Sequence, residues 1–284
     1  MTSKSDMVRS SRPGTLAGRV AIVTGGGNGI GAATVRKFAS EGAAVVVNDL
    51  DCELAEGLVE EIVEAGGKAA ACVGDVTAAD FAERCVRTAI EELGGLDIVV
   101  NNAGYARHGM LQNTGDDIWD AMIAVHLTAP FRLLRAAVPH FRDSARSERE
   151  LGQSRQRKVV NVSSGSIKGV MGHSGYASGK AGLLGLTTTA ARELGPFGVN
   201  VNAVAFGLIE TRINAPLAEG EDRNAEIAGA AIRMGMPADR FQQVASGNML
   251  GRAGTPEEAA GAIYLLCLPE SDFITGQCLW VAGG

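Results

Sequence analysis

The sequence predicts a single-domain α/β fold, a doubly wound parallel sheet of about seven strands with helices on both faces. Short runs that are apolar throughout alternate with longer amphipathic stretches from residue 19 onward. The 284 residues are 46% apolar and 20% charged, the composition of an ordinary folded domain. No Pro- or Ser-rich linker divides this pattern. We therefore expect one domain over 16–284, preceded by a flexible tail over 1–15.

The apolar runs define the predicted strands in chain order, and they are 19–24, 43–49, 68–75, 96–101, 158–163 and 198–206. Runs without polar alternation are typical of strands buried on both faces, which parallel strands with helical crossovers are. The amphipathic stretches 53–65 and Phe81–Leu93 predict two of the crossover helices. Two segments interrupt the alternation. The charged segment 143–158 predicts a solvated loop or a helix extension, and the long segment 211–251 predicts a lid over a substrate site.

A glycine-rich turn follows the first predicted strand. It reads TGGGNGIG over 24–31 and opens a helix at about Gly29. Glycines let the backbone approach a ligand, and the N–H groups of a helix N-terminus bind phosphate, so the turn predicts a dinucleotide site. A merely flexible glycine loop is the alternative. Asp49 argues against that alternative, because an acidic residue at the end of the second strand accepts hydrogen bonds from the adenosine ribose.

Asp49 also bears on the choice between the two nicotinamide cofactors. A 2′-phosphate would face its carboxylate at a cost of about 4 kcal/mol per charge pair at 4 Å and an effective dielectric near 20. The neighbours Asn28 and Leu50 carry no charge that would offset the repulsion. Arg36 and Lys37 are close in sequence, but a solvated helix face is their more ordinary role. We therefore expect NAD as the cofactor, not NADP.

Tyr176 and Lys180 are four residues apart on a helix predicted over 175–194, so both side chains lie on one face. Such a pair is common on helix surfaces, so the pair alone does not indicate a functional site, but its position does. The pair comes just after the fifth strand, which ends in NVSS over 161–164. Ligands collect at this edge of a parallel sheet, so the pattern predicts a functional site there.

These motifs, taken in order, resemble the short-chain dehydrogenase/reductase family from about residue 16 to residue 284. The motifs that carry the resemblance are TGGGNGIG (24–31), Asp75-Val76, NNAG (101–104), Ser163-Ser164, Tyr176 with Lys180, GLIET (207–211), ITGQ (274–277) and Gly283-Gly284. The resemblance implies a Rossmann fold and hydride transfer between a nicotinamide and a carbonyl or secondary alcohol carbon.

The resemblance also implies catalytic roles. Tyr176 would be the general acid or base, and Ser164 would hold the substrate oxygen. Lys180 would bind the nicotinamide ribose. Its ammonium group and an oxidised nicotinamide together would lower the phenol pKa from about 10 toward neutral pH, where an acid/base group works best. The implied cofactor-binding residues are Gly25, Asn28, Gly29, Ile30, Gly31, Asp49, Asp75, Val76, Asn102, Ala103, Gly104, Tyr176, Lys180, Gly207, Ile209 and Thr211.

Three positions depart from the family's usual pattern. Ser164 precedes Tyr176 by one residue fewer than is usual, which keeps Ser163 as the alternative substrate-binding serine. His126 stands where the family commonly has an Asn that serves a water-linked proton relay. Its alternatives are a catalytic role and a packed structural histidine. Phe206-Gly207 replaces the usual Pro-Gly after the sixth strand.

The strand VVVNDL over 45–50 and the Val-His-Leu variant around His126 resemble the branch that acts on 3-oxoacyl and 3-hydroxyacyl thioesters, as in fatty acid metabolism. Hydroxysteroid, polyol or small-ketone dehydrogenases are the alternative, and a non-catalytic NAD-binding protein is a remote one. We expect a homo-oligomer, a dimer or homotetramer, built through the long helices at 116–142 and 175–194. With a net charge of −6, no signal-peptide pattern and no paired metal-ligand spacing, we expect a cytoplasmic protein without metal, nucleic acid or membrane partners.

Overall fold

The computed structural model describes residues 14–227 and 229–284, so most of the predicted tail, 1–13, lies outside the described residues. The elements in chain order are β1 (Val20–Val23), α1 (Gly29–Ser40), β2 (Ala44–Val47), α2 (Cys52–Glu64), β3 (Lys68–Ala71), α3 (Phe81–Leu93), β4 (Ile98–Asn101), α4 (Asp116–Ile123), α5 (Ala129–Glu150), β5 (Arg157–Ser164), α6 (Ser174–Leu194), β6 (Val199–Phe206), β7 (Pro216–Leu217), β8 (Arg223–Ile227), β9 (Ala230–Met234), β10 (Met236–Pro237), α7 (Ala238–Gly247), α8 (Pro256–Leu265) and β11 (Cys278–Val281).

The central sheet has seven strands in the order β11-β6-β5-β4-β1-β2-β3. Every pair of neighbours is parallel. The chain reverses its direction across the sheet between β3 and β4, which leaves a crevice outside the carboxyl ends of β1 and β4, where ligands bind in open α/β sheets. The predicted fold class is confirmed.

Two apolar layers cover the sheet. Successive strand side chains point to opposite faces, so Ile22 packs in one layer while Ala21 and Val23 pack in the other. Helices α3, α5 and α6 contribute to the first layer, and α1, α2 and α8 contribute to the second. Both faces of the sheet are therefore buried, which explains why its central strands are apolar throughout.

Side chains at the helix starts satisfy backbone N–H groups that lack helical partners. Asn28 caps α1, and the Asp51 carboxylate accepts from two backbone N–H groups at the start of α2. Thr255 and Glu258 form a reciprocal capping box at the start of α8. At its end, α3 turns through Gly94 with a φ of 88°, a conformation that favours glycine.

The helix predicted over 116–142 is interrupted. Between α4 and α5, residues Ala124–Thr128 form a π-helical turn. Helix α5 continues to Glu150, so the charged 143–158 segment begins as a helix extension. Among the described residues, Asp116–Glu150 is the one helical stretch long and apolar enough to cross a membrane by length and composition, with a mean hydropathy of 1.3 over 18 residues. Its buried side chains, among them Met122, Leu133 and Phe141, pack in the apolar layer on one face of the sheet.

The segment predicted as a lid, 211–251, contains short strands and a helix. Strands β8 and β9 form an antiparallel hairpin, β7 pairs with β10 in parallel, and α7 follows. Ile232 and Met234 of β9 are buried. The segment therefore has an apolar side of its own that packs inward.

Candidate active site

The glycine turn lies at the carboxyl end of β1, and its backbone leaves no room for side chains. Gly25 has a φ of 60°, and a Cβ added there would lie 2.8 Å from the Cα of Ala103. A Cβ on Gly31 would lie 1.9 Å from the carbonyl oxygen of Gly25. Gly29 opens α1, and the neighbouring Ile30 packs against the core layer beneath. This open turn at a helix N-terminus fits a dinucleotide pyrophosphate.

Two polar side chains that sequence reasoning did not single out hold this turn in place. The Thr24 hydroxyl accepts hydrogen bonds from the N–H groups of Asn102 and Ala103, both at 3.0 Å. The buried Asn48 side chain donates to the carbonyls of Cys72 and Gly74 at 2.9 and 3.0 Å. The signal that would have found them is a polar residue ending an otherwise apolar strand, where a buried polar group must have partners.

The predicted cofactor residue Asn102 also braces the turn. Its side-chain amide donates to the carbonyls of Thr24 and Gly25 at 2.9 and 3.0 Å. Asn101, the last residue of β4, donates to the side-chain oxygen of Asn161 on β5 at 2.8 Å. Asn161 in turn donates to the Thr187 hydroxyl of α6 at 2.9 Å. A buried polar ladder thus links β4, β5 and α6 beneath the site.

Asp49 lies beside the glycine turn. One carboxylate oxygen accepts from the N–H of Gly27 at 3.0 Å, and the other accepts from the N–H of Asp51 at 3.2 Å. The two cations singled out from the sequence, both on α1, are paired with carboxylates. Arg36 makes two hydrogen bonds of 2.7 Å to Glu61, and Lys37 makes one of 2.7 Å to Glu41.

Asp75 and Val76 follow β3 at the same edge of the sheet. The Asp75 carboxylate accepts from the N–H of Thr77 at 2.7 Å, and Val76 is buried. The Arg132 guanidinium of α5 donates to the carbonyl of Thr77 at 2.9 Å, which fixes the turn from the opposite side.

The segment 207–211 closes the other side of the crevice. Gly207 packs so closely on the chain's C-terminal segment that a Cβ there would lie 2.8 Å from the Cα of Ala282. Ile209 is buried and forms an isolated bridge with Gly254. Thr211 lies against the glycine turn, because a Cβ on Gly29 would be 3.5 Å from its methyl carbon. The structure therefore brings the predicted cofactor residues to one edge of the sheet.

Tyr176, Lys180 and Ser164 meet at this edge. The Ser164 hydroxyl lies close enough to the Tyr176 phenol to lower its pKa. The Lys180 ammonium group lies 5.9 Å from the centre of the Tyr176 ring and donates to the carbonyl of Val162 at 2.7 Å. Burial lowers the pKa of Lys180 to about 7. The arrangement places a proton donor, a hydroxyl and a buried amine around one point.

The two candidate serines have different partners. Ser163 is buried and donates to the carbonyl of Lys180 at 2.9 Å, on the helix side of β5. Ser164 is less buried, accepts from the N–H of Ser166 at 3.2 Å and lies close to Tyr176. Successive strand residues point to opposite faces, so only one of the two can reach the tyrosine. The geometry favours Ser164 as the substrate-binding serine.

The phenol pKa differs from the sequence-based expectation. Burial raises the pKa of Tyr176, and the nearby Ser164 hydroxyl lowers it in part. The expected lowering by Lys180 does not arise from the residues of the chain alone, because the lysine is itself buried and its own pKa is lowered. These residues therefore favour a protonated phenol, which is the form that donates a proton.

His126 lies in the π-helical turn, behind Tyr176. Its ring meets the Tyr176 ring edge-on with the centres 4.8 Å apart, and its Nε2 lies 2.7 Å from the carbonyl oxygen of Tyr105. A Cβ on Gly104 would lie 2.4 Å from the imidazole, and one on Gly179 would lie 2.9 Å from the Cβ of His126. The histidine is fully buried, and burial lowers its pKa well below the usual value. It is therefore a neutral group that ties the loop after β4 to α6.

Two further histidines lie next to Tyr176, and sequence reasoning did not place them there. The rings of His108 and His173 are stacked with centres 4.5 Å apart, and His173 meets Tyr176 edge-on at 5.5 Å. The contact depends on a bridge between the loop before α4 and the start of α6, formed by Gly109 and His173. Within the described residues, no group of three or more His, Cys, Asp or Glu side chains is arranged to hold a metal ion.

Comparison with known proteins places this geometry in a family. The model of the short chain dehydrogenase family matches residues 19–222. The short-chain reductase protein NovJ of Streptomyces niveus is 37% identical over 267 residues, with 93% of each chain covered. The 3-oxoacyl-(acyl-carrier-protein) reductase FabG of Thermotoga maritima is 36% identical, with 95% of this chain and 98% of the relative covered.

A solved structure agrees with these sequence relatives. A short chain dehydrogenase from Burkholderia cenocepacia, in complex with NADP, superimposes with a TM-score of 0.79 at 31% identity, covering 95% of this chain and 98% of the other. Members of this family are oxidoreductases that use a nicotinamide cofactor and act on alcohol or carbonyl groups. From the matched motifs, the shared fold and the extent of the similarity, the chain belongs to the short-chain dehydrogenase/reductase family.

Proposed function

We propose that this chain is an NADH-dependent reductase of 3-oxoacyl thioesters. The observation that carries the proposal is the meeting of Tyr176, Ser164 and Lys180 at the sheet edge that also holds the glycine turn. A phenol kept protonated by burial and lying close to a second hydroxyl is suited to donate a proton to a ketone oxygen.

The bound nicotinamide supplies the hydride. The chain's own residues bind the ketone and deliver the proton. Ser164 donates a hydrogen bond to the ketone oxygen, and Tyr176 transfers its phenolic proton to that oxygen as negative charge develops there. Lys180 then stabilises the phenolate that remains, because an ammonium group favours the charged form of a neighbouring acid.

The preference for NADH rests on Asp49 and on the pairing of the two cations of α1. The carboxylate is held beside the glycine turn by the N–H groups of Gly27 and Asp51. A 2′-phosphate at this position needs a cation, and Arg36 and Lys37 are already paired with Glu61 and Glu41. Repulsion of about 4 kcal/mol per charge pair at 4 Å, reduced by salt, then disfavours NADPH. Because a relative was solved in complex with NADP, the choice of cofactor is the first part of the proposal to test.

The thioester part of the proposal rests on similarity. The Thermotoga maritima relative, named as a 3-oxoacyl-(acyl-carrier-protein) reductase, matches over 95% of this chain. Large apolar side chains are exposed on both loops that meet next to Tyr176, Met110 and Leu111 on one and Val170 and Met171 on the other. An acyl chain would cover this apolar rim, and its burial would favour binding.

The test measures absorbance loss at the nicotinamide band with purified protein and acetoacetyl-CoA, in parallel with NADH and NADPH. Oxidation of NADH at a kcat/KM at least tenfold above that of NADPH supports both parts of the proposal. Activity confined to NADPH overturns the cofactor choice and leaves the chemistry. Cofactor binding without turnover of the thioester overturns the substrate class, and a panel of steroids, polyols and small ketones follows.

We further propose that the chain forms a homo-oligomer, a dimer or a homotetramer, through α4 and α5. Trp119 and Phe131 on these helices are 41% and 45% exposed. Burial of such aromatic side chains against a second copy is favourable, and exposed aromatics are enriched at interfaces. The cytoplasmic location expected from the sequence stays a prediction.

A further inference from the structure

The wall of the crevice next to Tyr176 is formed by two stacked imidazoles. His173 is three residues before Tyr176, at the start of α6, and its ring meets the tyrosine ring edge-on at 5.5 Å. His108 stacks on the outer side of His173 at 4.5 Å, with the planes 28° apart. A backbone hydrogen bond of 3.0 Å from the N–H of Gly109 to the carbonyl of Gly172 holds the two loops together. The position of the His173 ring relative to the phenol is therefore fixed.

Nothing within the fold accounts for an imidazole at this position. The His173 side chain makes no cap hydrogen bond to α6, and its Nδ1 is buried without a partner. A buried nitrogen without a partner costs free energy that an apolar ring of the same shape would not. The ring as a whole is only half-buried, so part of it stays accessible beside Tyr176.

The charge state of the ring is also defined. Burial, together with the charges of His108 and Arg240, lowers the pKa of His173 to about 4. The groups that act on the ring are thus the stacked imidazole and the guanidinium at the start of α7. At neutral pH the ring carries one N–H. We assign the N–H to Nε2, because Nδ1 is buried without a partner and an N–H there would lack an acceptor.

We propose that His173 is a specificity-determining residue that donates a hydrogen bond to a second substrate oxygen, the thioester carbonyl β to the reacting ketone. The inference rests on the proposed function and deepens it. Tyr176 and Ser164 bind the ketone oxygen, and the neighbouring ring supplies one donor for the next oxygen along the substrate. A neutral donor suits a thioester carbonyl, which carries no charge. His108 acts on His173 by holding its plane, and it makes no contact with the substrate.

The test compares two small substrates that differ only at the second oxygen. One is S-ethyl acetothioacetate, and the other is the ketone in which a methylene replaces its thioester carbonyl. The quantity measured is the ratio of their kcat/KM values with NADH. His173→Phe keeps a stacking ring and removes the donor, whereas His173→Gln keeps a neutral donor. His140→Gln is the control, because His140 lies away from the site and its acceptor for the N–H of Leu96 is retained.

His173→Phe is expected to lower the ratio by about three- to tenfold, the range for one net hydrogen bond, with the kcat/KM of the simple ketone unchanged. His173→Gln is expected to keep most of the ratio, and His140→Gln all of it. An unchanged ratio in His173→Phe overturns the inference, and an equal fall for both substrates reduces His173 to a structural residue.

Failure of the proposed function gives a different result. The substrate class is wrong if the wild-type protein turns over the simple ketone as well as the thioester, or does not turn over the thioester at all. In either case the proposed hydrogen bond from His173 to the thioester carbonyl is overturned too. If the wild type prefers the thioester and His173→Phe keeps that preference, the substrate class stands and only the role of His173 is overturned.

Discussion

The carboxylate of Asp49 accepts a hydrogen bond of 3.0 Å from the backbone N–H of Gly27. The same side chain thus orients the glycine turn and carries the negative charge that disfavours a 2′-phosphate. Its two roles can be separated, because an amide retains the acceptor oxygen and removes the charge.

Asp49→Asn is therefore expected to keep the glycine turn in place and to lower the ratio of kcat/KM with NADH to that with NADPH by about tenfold or more. The physical reason is the loss of a charge repulsion worth about 4 kcal/mol before screening. Glu53→Gln, a nearby change of the same kind in α2, is the control. A ratio that is the same in Asp49→Asn and the wild type would separate cofactor choice from this residue.

Tyr176→Phe is expected to lower kcat by about a hundred- to ten-thousandfold, the usual contribution of a positioned proton donor. Binding of NADH, measured by its fluorescence, should change little, because the aromatic ring remains. Tyr264→Phe is the matched control, since the Tyr264 hydroxyl bonds Thr15 on the far side of α1. Turnover by Tyr176→Phe at the wild-type rate would remove the phenol as the acid.

The buried His126 is expected to make stability depend on pH. Its folded-state pKa is well below the unfolded value of about 6.5, so between these values the unfolded chain binds more protons. Its contribution is complete above pH 6.5 and is lost as the pH falls toward 5. His108, His140 and His173, whose pKa values are also lowered, act in the same direction over this range. Glu41 and Glu258, whose pKa values are lowered to about 2, act only in more acidic solution. Urea unfolding at several pH values between 7.5 and 5 measures the slope of the free energy of unfolding against pH.

His126→Gln keeps a donor for the carbonyl of Tyr105 and does not titrate. We expect it to reduce the slope by on the order of 1.4 kcal/mol per pH unit, the value for one proton. His140→Gln should reduce it less, because His140 is only partly buried. Identical slopes in the wild type and His126→Gln would mean that His126 is not the buried group responsible.

The proposed oligomer is testable on Phe131. Phe131→Glu puts a charge at the exposed aromatic of α5 and is expected to shift the molar mass, measured by light scattering after size-exclusion chromatography, to that of a smaller assembly. Leu151→Glu, at a side chain that is 72% exposed just past the end of the same helix, should leave the mass unchanged. A monomeric wild-type protein would overturn the proposal.

Sequence reasoning predicted the fold well where the apolar periodicity was strong. The helix predicted over Phe81–Leu93 has these bounds in the structure, and all six predicted strands are present. The seventh strand, β11, lies outside the six apolar runs, and the order of the strands in the sheet is defined by the pairing in the structure. The choice between Ser163 and Ser164 likewise depends on which face of the sheet each side chain points to, and the structure is needed to decide it.

Three features depend on contacts that the sequence pattern does not carry. The β8–β9 hairpin joins a polar run, RNAEI, to a mixed one, AAIRM, and its strands are defined by their pairing with each other. The π-helical turn at Ala124–Thr128 lies inside a continuous helical pattern. The stacking of His108 on His173 joins residues far apart in the chain.

The π-helical turn preserves the phase of the helix that follows it. A turn of this kind holds one residue more than the regular helix around it, so the extra residue is taken up within the turn. In a regular helix an extra residue would rotate α5 by about 100°. Leu133 and Phe141, now fully buried, would then swing away from the sheet. The wider turn therefore lets the chain place His126 at the active site while α5 keeps its apolar side against the core.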